Sequence, residues 1–248
     1  MSKRIAFLSD IHFPYHDKKA WPLALAIMQD LNLDEIVLGG DIVDYEPVRR
    51  YSTHPAKRLD LAKQLKIAVN ELTTLRVQFP YVYIQFMEGN HEWRMERYIH
   101  EKAPELHGID ALHVPAQLSL SDLDIVWVPR NTPLHRGKLT IIHGDQISHS
   151  STTPAKSLYS KVSCNMLTGH DHKFDRHIQR VFGQTIHGVW INGCLCNLTP
   201  DWLMFPQWHQ GFTVIDVCDK GYFNVEQVMF LDRGKKLYAV VHGKEYNG

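Results

Sequence analysis

The chain has 248 residues, a length for one domain with a substantial core. Hydrophobic residues make up 44% and charged residues 22%, the balance of a soluble globular protein, and 27 basic residues match 27 acidic ones. Zero formal net charge argues against a strong global attraction to nucleic acid or acidic membranes, while leaving a local basic groove open. No stretch approaches the ~18 consecutive apolar residues of a membrane span. The opening MSKRIAFLSDIH holds too short an apolar run for a signal peptide, so the expectation is a cytoplasmic protein with no membrane association. Cys164, Cys194, Cys196 and Cys218 form no C-x-x-C pair and read as buried reduced thiols.

Arg4 to Ser9 is a short apolar run and reads as a buried strand. Lys18 to Leu31 has helical spacing, with Trp21, Leu25, Met28 and Leu31 on one side. Glu35 to Leu38 is a second strand, ended by Gly39-Gly40. Leu59 to Phe79 is a long amphipathic helix, with Leu61, Leu65, Ala68, Leu72 and Leu75 three or four apart, and Pro80 stops it. Tyr81 to Met87 is a third strand, and Glu92 to His100 is helical. Strand, helix, strand, helix, strand predicts parallel strands with crossover helices. The second half turns strand-rich: Ile125 to Val128, Leu139 to Ile142, Met166 to Leu167, His177 to Val181, Thr185 to Ile191, Phe212 to Val217 and Phe223 to Phe230, with a helix over Pro154 to Lys161. The expectation is an α/β protein with a second sheet packed on the first, in one domain over residues 1–248. The segment 101–121 shows no clear pattern.

Polar residues stand where strands end. Asp10 and His12 follow the first strand, Asp41 and Asp44 the second, Asn90, His91 and Glu92 the third. His143 follows Leu139 to Ile142, and His170 and His172 follow Met166 to Leu167. In open sheets with parallel strands, ligands bind beyond the carboxyl ends of the strands. Carboxylate, imidazole and carboxamide suit borderline or hard divalent ions, and no thiolate takes part. Seven such residues exceed one tetrahedral zinc site and suit two ions sharing a carboxylate, spaced about 3.5–4 Å apart as in two-metal phosphoryl chemistry.

The blocks S-D-I-H, G-G-D-I-V-D, E-G-N-H-E, H-G-D and T-G-H-D-H, in this order between residues 9 and 172, resemble the motifs of the calcineurin-like metallophosphoesterase superfamily. Small stand-alone members of the phage and bacterial type look most similar. The resemblance implies a four-layer αββα sandwich: two packed mixed β-sheets flanked by helices, with the metals at the carboxyl ends of strands. It implies that Asp10, His12 and His172 hold one divalent ion, that Asn90, His143 and His170 hold a second, and that Asp41 bridges them. It gives His91 the role of protonating the leaving group, with Asp44 orienting its ring, and a metal-bridging hydroxide the role of nucleophile. Manganese is the leading metal, with iron, nickel or zinc as alternatives.

Substrate signals are fewer. Arg94 reads either as a contact to a non-bridging phosphate oxygen or as a solvated arginine on a helix face. Asp44 also reads as a turn residue and Glu92 as a cap or start of the following helix. Tyr15 follows the first block, and Trp202, Phe205 and Trp208 crowd a proline-bounded stretch. These aromatics suit either base stacking or, slightly favoured for the stretch around Trp202, a hydrophobic plug or the contact of a homodimer. The remaining histidines, including His100, His107 and His113, read as surface or structural residues. The favoured activity is a phosphodiesterase on nucleotides or nucleic acid. The alternatives are a phosphomonoesterase, phosphoprotein phosphatase included, and a non-catalytic scaffold that retains the fold.

Overall fold

The structure is a computed structural model that describes residues 2–50, 60–148, 150, 152–180, 182, 186–200, 203–234 and 236–248. In chain order the first half forms β1 (Lys3–Leu8), α1 (Ala20–Gln29), β2 (Glu35–Leu38), α2 (Leu61–Gln78), β3 (Tyr83–Met87), α3 (Trp93–Lys102), α4 (Val114–Gln117) and β4 (Ile125–Val128). The second half forms β5 (Leu134–Arg136), β6 (Leu139–Ile142), α5 (Pro154–Val162), β7 (Met166–Thr168), β8 (Asp175–Arg180) and β9 (Ile186–Ile191). It closes with β10 (Gly211–Val217), β11 (Phe223–Met229), β12 (Leu231–Arg233), β13 (Lys236–Val241) and β14 (Lys244–Asn247).

One sheet has the order β11-β10-β1-β2-β3-β4, with β1 to β4 parallel and β10 antiparallel to β1. The second has the order β5-β6-β7-β9-β8, in which β6, β7 and β9 are parallel. Strand side chains alternate between faces, and the alternation sorts them into layers. Ile5, Phe7 and Val37 of the first sheet meet Leu139, Ile141, Leu167 and Trp190 of the second in one buried cluster. Ala6, Leu8, Ile36, Leu38, Ile84 and Phe86 point the other way and pack with α1 and with Ala68, Leu72 and Leu75 of α2. Ala155, Leu158 and Tyr159 of α5 cover the outer face of the second sheet through Met166, Val189 and Ile191. The four-layer αββα sandwich expected from the motifs is therefore the fold observed. Phe7 is fully buried between the sheets, where truncation to alanine would cost about 3–5 kcal/mol.

Local chemistry sets the helix starts. The Asp60 carboxylate accepts from the Ala62 amide and caps α2, and Pro154 occupies the first turn of α5, where its missing N–H costs nothing. α1 buries seven of its ten residues because β13 covers the side that the sheet leaves free. That covering three-stranded sheet, β12-β13-β14, was not expected: KLYAVV alternates, but its flanks LDR and KEYN are polar and exposed and carry little pattern. The segment without a pattern, 101–121, holds the end of α3, two single-turn helices and α4. All four cysteines are free, but only Cys194 and Cys196 are buried as expected; Cys164 is half-buried and Cys218 exposed. Among the described residues, no helix is long and apolar enough to cross a membrane.

Candidate metal centre

Parallel pairing puts the carboxyl ends of β1, β2 and β3 along one edge, and those of β6 and β7 along the corresponding edge of the second sheet. Because the sheets pack face to face, the two edges meet. Asp10, His12 and His172 come together there, as do Asp41, His143 and His170, with the ligand atoms of each trio within 4.8 Å of one another. Asn90 joins the second group, its Oδ1 lying 3.1 Å from His143 Nε2. The seven residues taken from the strand ends thus converge at one place.

The backbone carries the cost of this convergence. Asp10, His12, Asp41, His170 and His172 have φ between 54° and 71°, a region that non-glycine residues rarely occupy. Such conformations cost on the order of 1–3 kcal/mol each and persist only where surrounding contacts impose them. Here they are imposed by bonds such as His12 N–H to the Asp41 carbonyl at 3.0 Å and His170 N–H to Asp10 Oδ2 at 2.9 Å. Gly89 leaves the room: a Cβ there would lie 2.3 Å from Asp41 Oδ1.

The imidazoles are oriented for metal. His143 Nδ1–H donates to the Gly39 carbonyl at 2.9 Å, so its Nε2 is turned toward Asn90 and Asp41. His172 Nδ1–H donates to the His170 carbonyl at 2.8 Å, and His12 Nδ1–H to Asp44 Oδ2 at 3.2 Å. Those bonds leave two lone-pair nitrogens, His12 Nε2 and His172 Nε2, facing each other at 2.9 Å. Two lone pairs at that distance repel unless a cation lies against both. Burial lowers His12 and pushes His172 down to about 4, so both rings are neutral, the form that binds metal. His170 Nδ1 is buried without a hydrogen-bond partner among the described residues. An orphaned imidazole nitrogen and two opposed ones fit a group of divalent cations.

His143 behaves differently. Burial opposes its charge, but the Asp41 carboxylate overrides it and carries the ring up to about 10. Burial also opposes ionisation of Asp44, yet its bonds to His12 and His91 hold it well below the usual carboxylate range.

Asp44 and His91 are adjacent, as expected, but the pairing is shared. Asp44 Oδ2 lies 3.3 Å from His91 Nδ1 and 3.2 Å from His12 Nδ1, and the Asp44 backbone carbonyl also meets His91 Nδ1 at 3.1 Å. One carboxylate therefore touches the rings of both a ligand candidate and the proton-donor candidate. Arg94 is not a solvated helix-face residue. Its guanidinium donates to the Asp44 carbonyl at 2.9 Å and to His91 Nε2 at 2.6 Å. Tyr15 is partly exposed and its hydroxyl donates to Glu46 Oε2 at 2.5 Å. Trp202 lies outside the described residues.

Two features escaped the sequence reading. Glu92 stands at the start of α3, as expected, but its side chain makes no cap bond there. Fully buried, it turns back and accepts four backbone N–H groups at 2.9 Å: Asp41 and Gly89 on one oxygen, Ile42 and Val43 on the other. One side chain thus ties the loop after β2 to the loop after β3. Burial and the Asp41 carboxylate push its carboxyl up to about 7, with the amides pulling the other way. The second is the place of Trp208 beside the ligand candidates: its indole stacks on His172 with ring centroids 4.5 Å apart, so at least this part of its stretch is no remote plug. It also walls a cleft of about 620 Å³ lined by Lys156, Lys173, Phe174, Arg176 and His209. Asp175, also in the wall, is engaged with the Ala155 and Arg176 amides, so the cleft is basic on balance. Basic residues spread over residues 156 to 176 left no signal in a chain of zero net charge.

Two proteins of mycobacteriophages D29 and L5, each called Gene 54 protein, are 26% identical to this chain over 188 residues, 70% of it and 70% of each of them. Among solved structures, Vacuolar Protein Sorting 29 from Cryptosporidium parvum aligns over 100% of this chain and 96% of its own, with 15% identity and a TM-score of 0.45. The NAD nucleotidase of Haemophilus influenzae aligns over 99% of this chain and 53% of its own, with 9% identity and a TM-score of 0.44. The family model for calcineurin-like phosphoesterases matches residues 3–205, which span β1 to β9 and every strand end that supplies the centre. The chain belongs to the calcineurin-like phosphoesterase family.

Proposed function

We propose that this protein is a dinuclear metal-dependent phosphodiesterase acting on nucleotides or nucleic acid. The observation that carries the reading is the set of uncommitted imidazole nitrogens, His12 Nε2 facing His172 Nε2 and the orphaned His170 Nδ1, beside two buried carboxylates. Asp10, His12 and His172 would hold one ion, Asn90, His143 and His170 the other, with Asp41 between. Bound there, manganese or a similar ion supplies Lewis acidity, neutralising phosphoryl oxygens and acidifying water.

The chain's own residues do the rest. His91 is the proton donor for the leaving oxygen, and Asp44 with its carbonyl holds the ring by Nδ1, leaving Nε2 for the substrate. Arg94 now donates to that Nε2, so His91 can offer a proton only after Arg94 turns away. A phosphoryl oxygen is the natural acceptor to draw it off, which couples substrate binding to readiness of the acid. The diester preference rests on the cleft beyond His172. Lys156, Lys173 and Arg176 suit a further phosphate, and Trp208 offers a face to a base. A monoester would leave that cleft unused.

The test compares bis-nitrophenyl phosphate with nitrophenyl phosphate, then single strands, duplexes, cyclic nucleotides and phosphopeptides, on manganese-loaded protein. Faster turnover of the diester and of strands supports the proposal. Preference for the monoester or phosphopeptides would replace it with a phosphomonoesterase. No turnover with manganese, iron, nickel or zinc would leave a scaffold.

A further inference from the structure

One turn along α3 from Glu92, a second group of histidines gathers around the Glu96 carboxylate. We propose that Glu96, His100 and His107, with His113 seated on the second Glu96 oxygen, form a separate site for one divalent ion of the zinc class, which fastens the segment 103–113 to α3. None of the four belongs to the candidate centre.

Glu96 and His100 lie four apart on α3 and so stand side by side on its surface. Glu96 Oε1 is 3.0 Å from His100 Nε2 and 3.2 Å from His107 Nδ1, and Oε2 is 3.1 Å from His113 Nδ1. One ligand atom each from Glu96, His100 and His107 lies within 4.8 Å of the other two, a spacing that small side-chain shifts bring to the ~3.3 Å between donors around a tetrahedral ion. Two imidazoles and a carboxylate, with no thiolate, select zinc or its borderline neighbours over magnesium or calcium.

His113 holds the carboxylate from its other side: its Nδ1 lies 3.1 Å from Glu96 Oε2 and its Nε2–H donates to the His107 carbonyl at 2.9 Å, so Oε1 is left to His100 and His107. Within the segment, Leu112 packs against the core, but the stretch before it has no apolar anchor. Every residue from Pro104 to Ala111 is exposed, and even Leu106 and Ile109 are 38% and 46% exposed. The imidazoles of His107 and His113 tie it back to α3, and an ion would turn those weak, water-competed contacts into coordination bonds. Its binding free energy would then order the segment. The same helix carries Arg94 at its other end, so the ion stiffens an element that serves the proposed active site without entering it.

The test strips the full-length protein with chelator and titrates zinc chloride into wild type, into H100A/H107A, and into H12A/H143A. Both substituted histidines of the first variant are exposed, and circular dichroism of the stripped proteins verifies that the fold is retained. Wild type is expected to bind one equivalent more than H100A/H107A, with submicromolar Kd, and H12A/H143A to keep that equivalent. Zinc should slow amide exchange across 103–113 at least tenfold in wild type and leave it unchanged in H100A/H107A. Equal stoichiometry in wild type and H100A/H107A, loss of the extra ion in H12A/H143A alone, or exchange indifferent to zinc would each overturn the site. Because the readout is a difference between variants, it stands whether or not the candidate centre proves dinuclear.

Discussion

Glu92→Gln isolates how much the candidate centre depends on one buried side chain. Each Glu92 oxygen accepts two backbone N–H groups at 2.9 Å, and none of these donors has water within reach, since Glu92 and Gly89 are buried and Asp41 nearly so. Glutamine keeps one acceptor oxygen and turns the other into an NH2 group that faces two donors. Two bonds to a charged acceptor are lost, at about 1.5–3 kcal/mol each. The lower figure applies, because burial and Asp41 already work against the charge. The expected loss is therefore about 3 kcal/mol, or roughly 6–12 °C in Tm for a chain of this size. The loop after β2 carries Asp41 and the loop after β3 carries Asn90, so manganese affinity should also weaken about 10–100-fold, as when a group supporting metal ligands is removed. Urea unfolding of the stripped protein and calorimetric titration with manganese read the two effects separately. A Glu92→Gln variant within about 0.5 kcal/mol of wild type and with unchanged affinity would refute the reasoning.

Three further outcomes follow from the same geometry. His91→Ala should keep its metal and lose about 10²–10⁴-fold in turnover of alkyl phosphodiesters, but far less on nitrophenyl esters, whose leaving group needs no proton; equal losses on both, in steady-state assays, would remove His91 as the acid. Trp208→Ala should weaken binding of short single strands about 5–150-fold, from the loss of one stacking platform at about 1–3 kcal/mol, measured by fluorescence anisotropy against an unchanged nitrophenyl ester KM. Metal binding near pH 8 should release about one proton from His143, which burial disfavours and Asp41 holds charged up to about 10, and none from His172, which burial keeps neutral above about 4; calorimetry in buffers of different ionisation enthalpy counts it, and His143→Ala should abolish the release.

How much of this was legible before the structure depends on the kind of signal. β1, β2, β3 and their crossover helices announced themselves because strands buried on both faces read as short apolar runs, and α2 because its leucines recur at helical spacing. The strand-end polar residues were legible because parallel sheets present that edge to ligands. β5 was missed because Leu134, His135 and Arg136 are too few to show a period, and β14 because Lys244 to Asn247 is almost wholly polar. Glu92 starts α3 as the sequence suggests, but the role of its side chain stayed hidden for a physical reason. An acidic residue at a helix start is ordinarily a cap, and nothing in E-G-N-H-E tells which way the side chain turns. Trp208 reaches His172 through the pairing of the His209 amide with the His172 carbonyl at 2.8 Å, a contact 37 positions apart that no local pattern encodes. The histidines around Glu96 read as surface residues, which His100 and His107 are by exposure while His113 is half-buried; what linear spacing hides is that turns at Pro104–Leu106 and Asp110–Leu112 fold two of them back onto α3.

The central claim is that the strand-end residues hold two ions side by side. Crystals grown with manganese, with diffraction recorded above and below the manganese absorption edge, test it most directly. The account predicts two anomalous peaks, one touching Asp10, His12 and His172, the other Asn90, His143 and His170, with Asp41 in contact with both. A single peak, or none at fully occupied manganese concentrations, would contradict it.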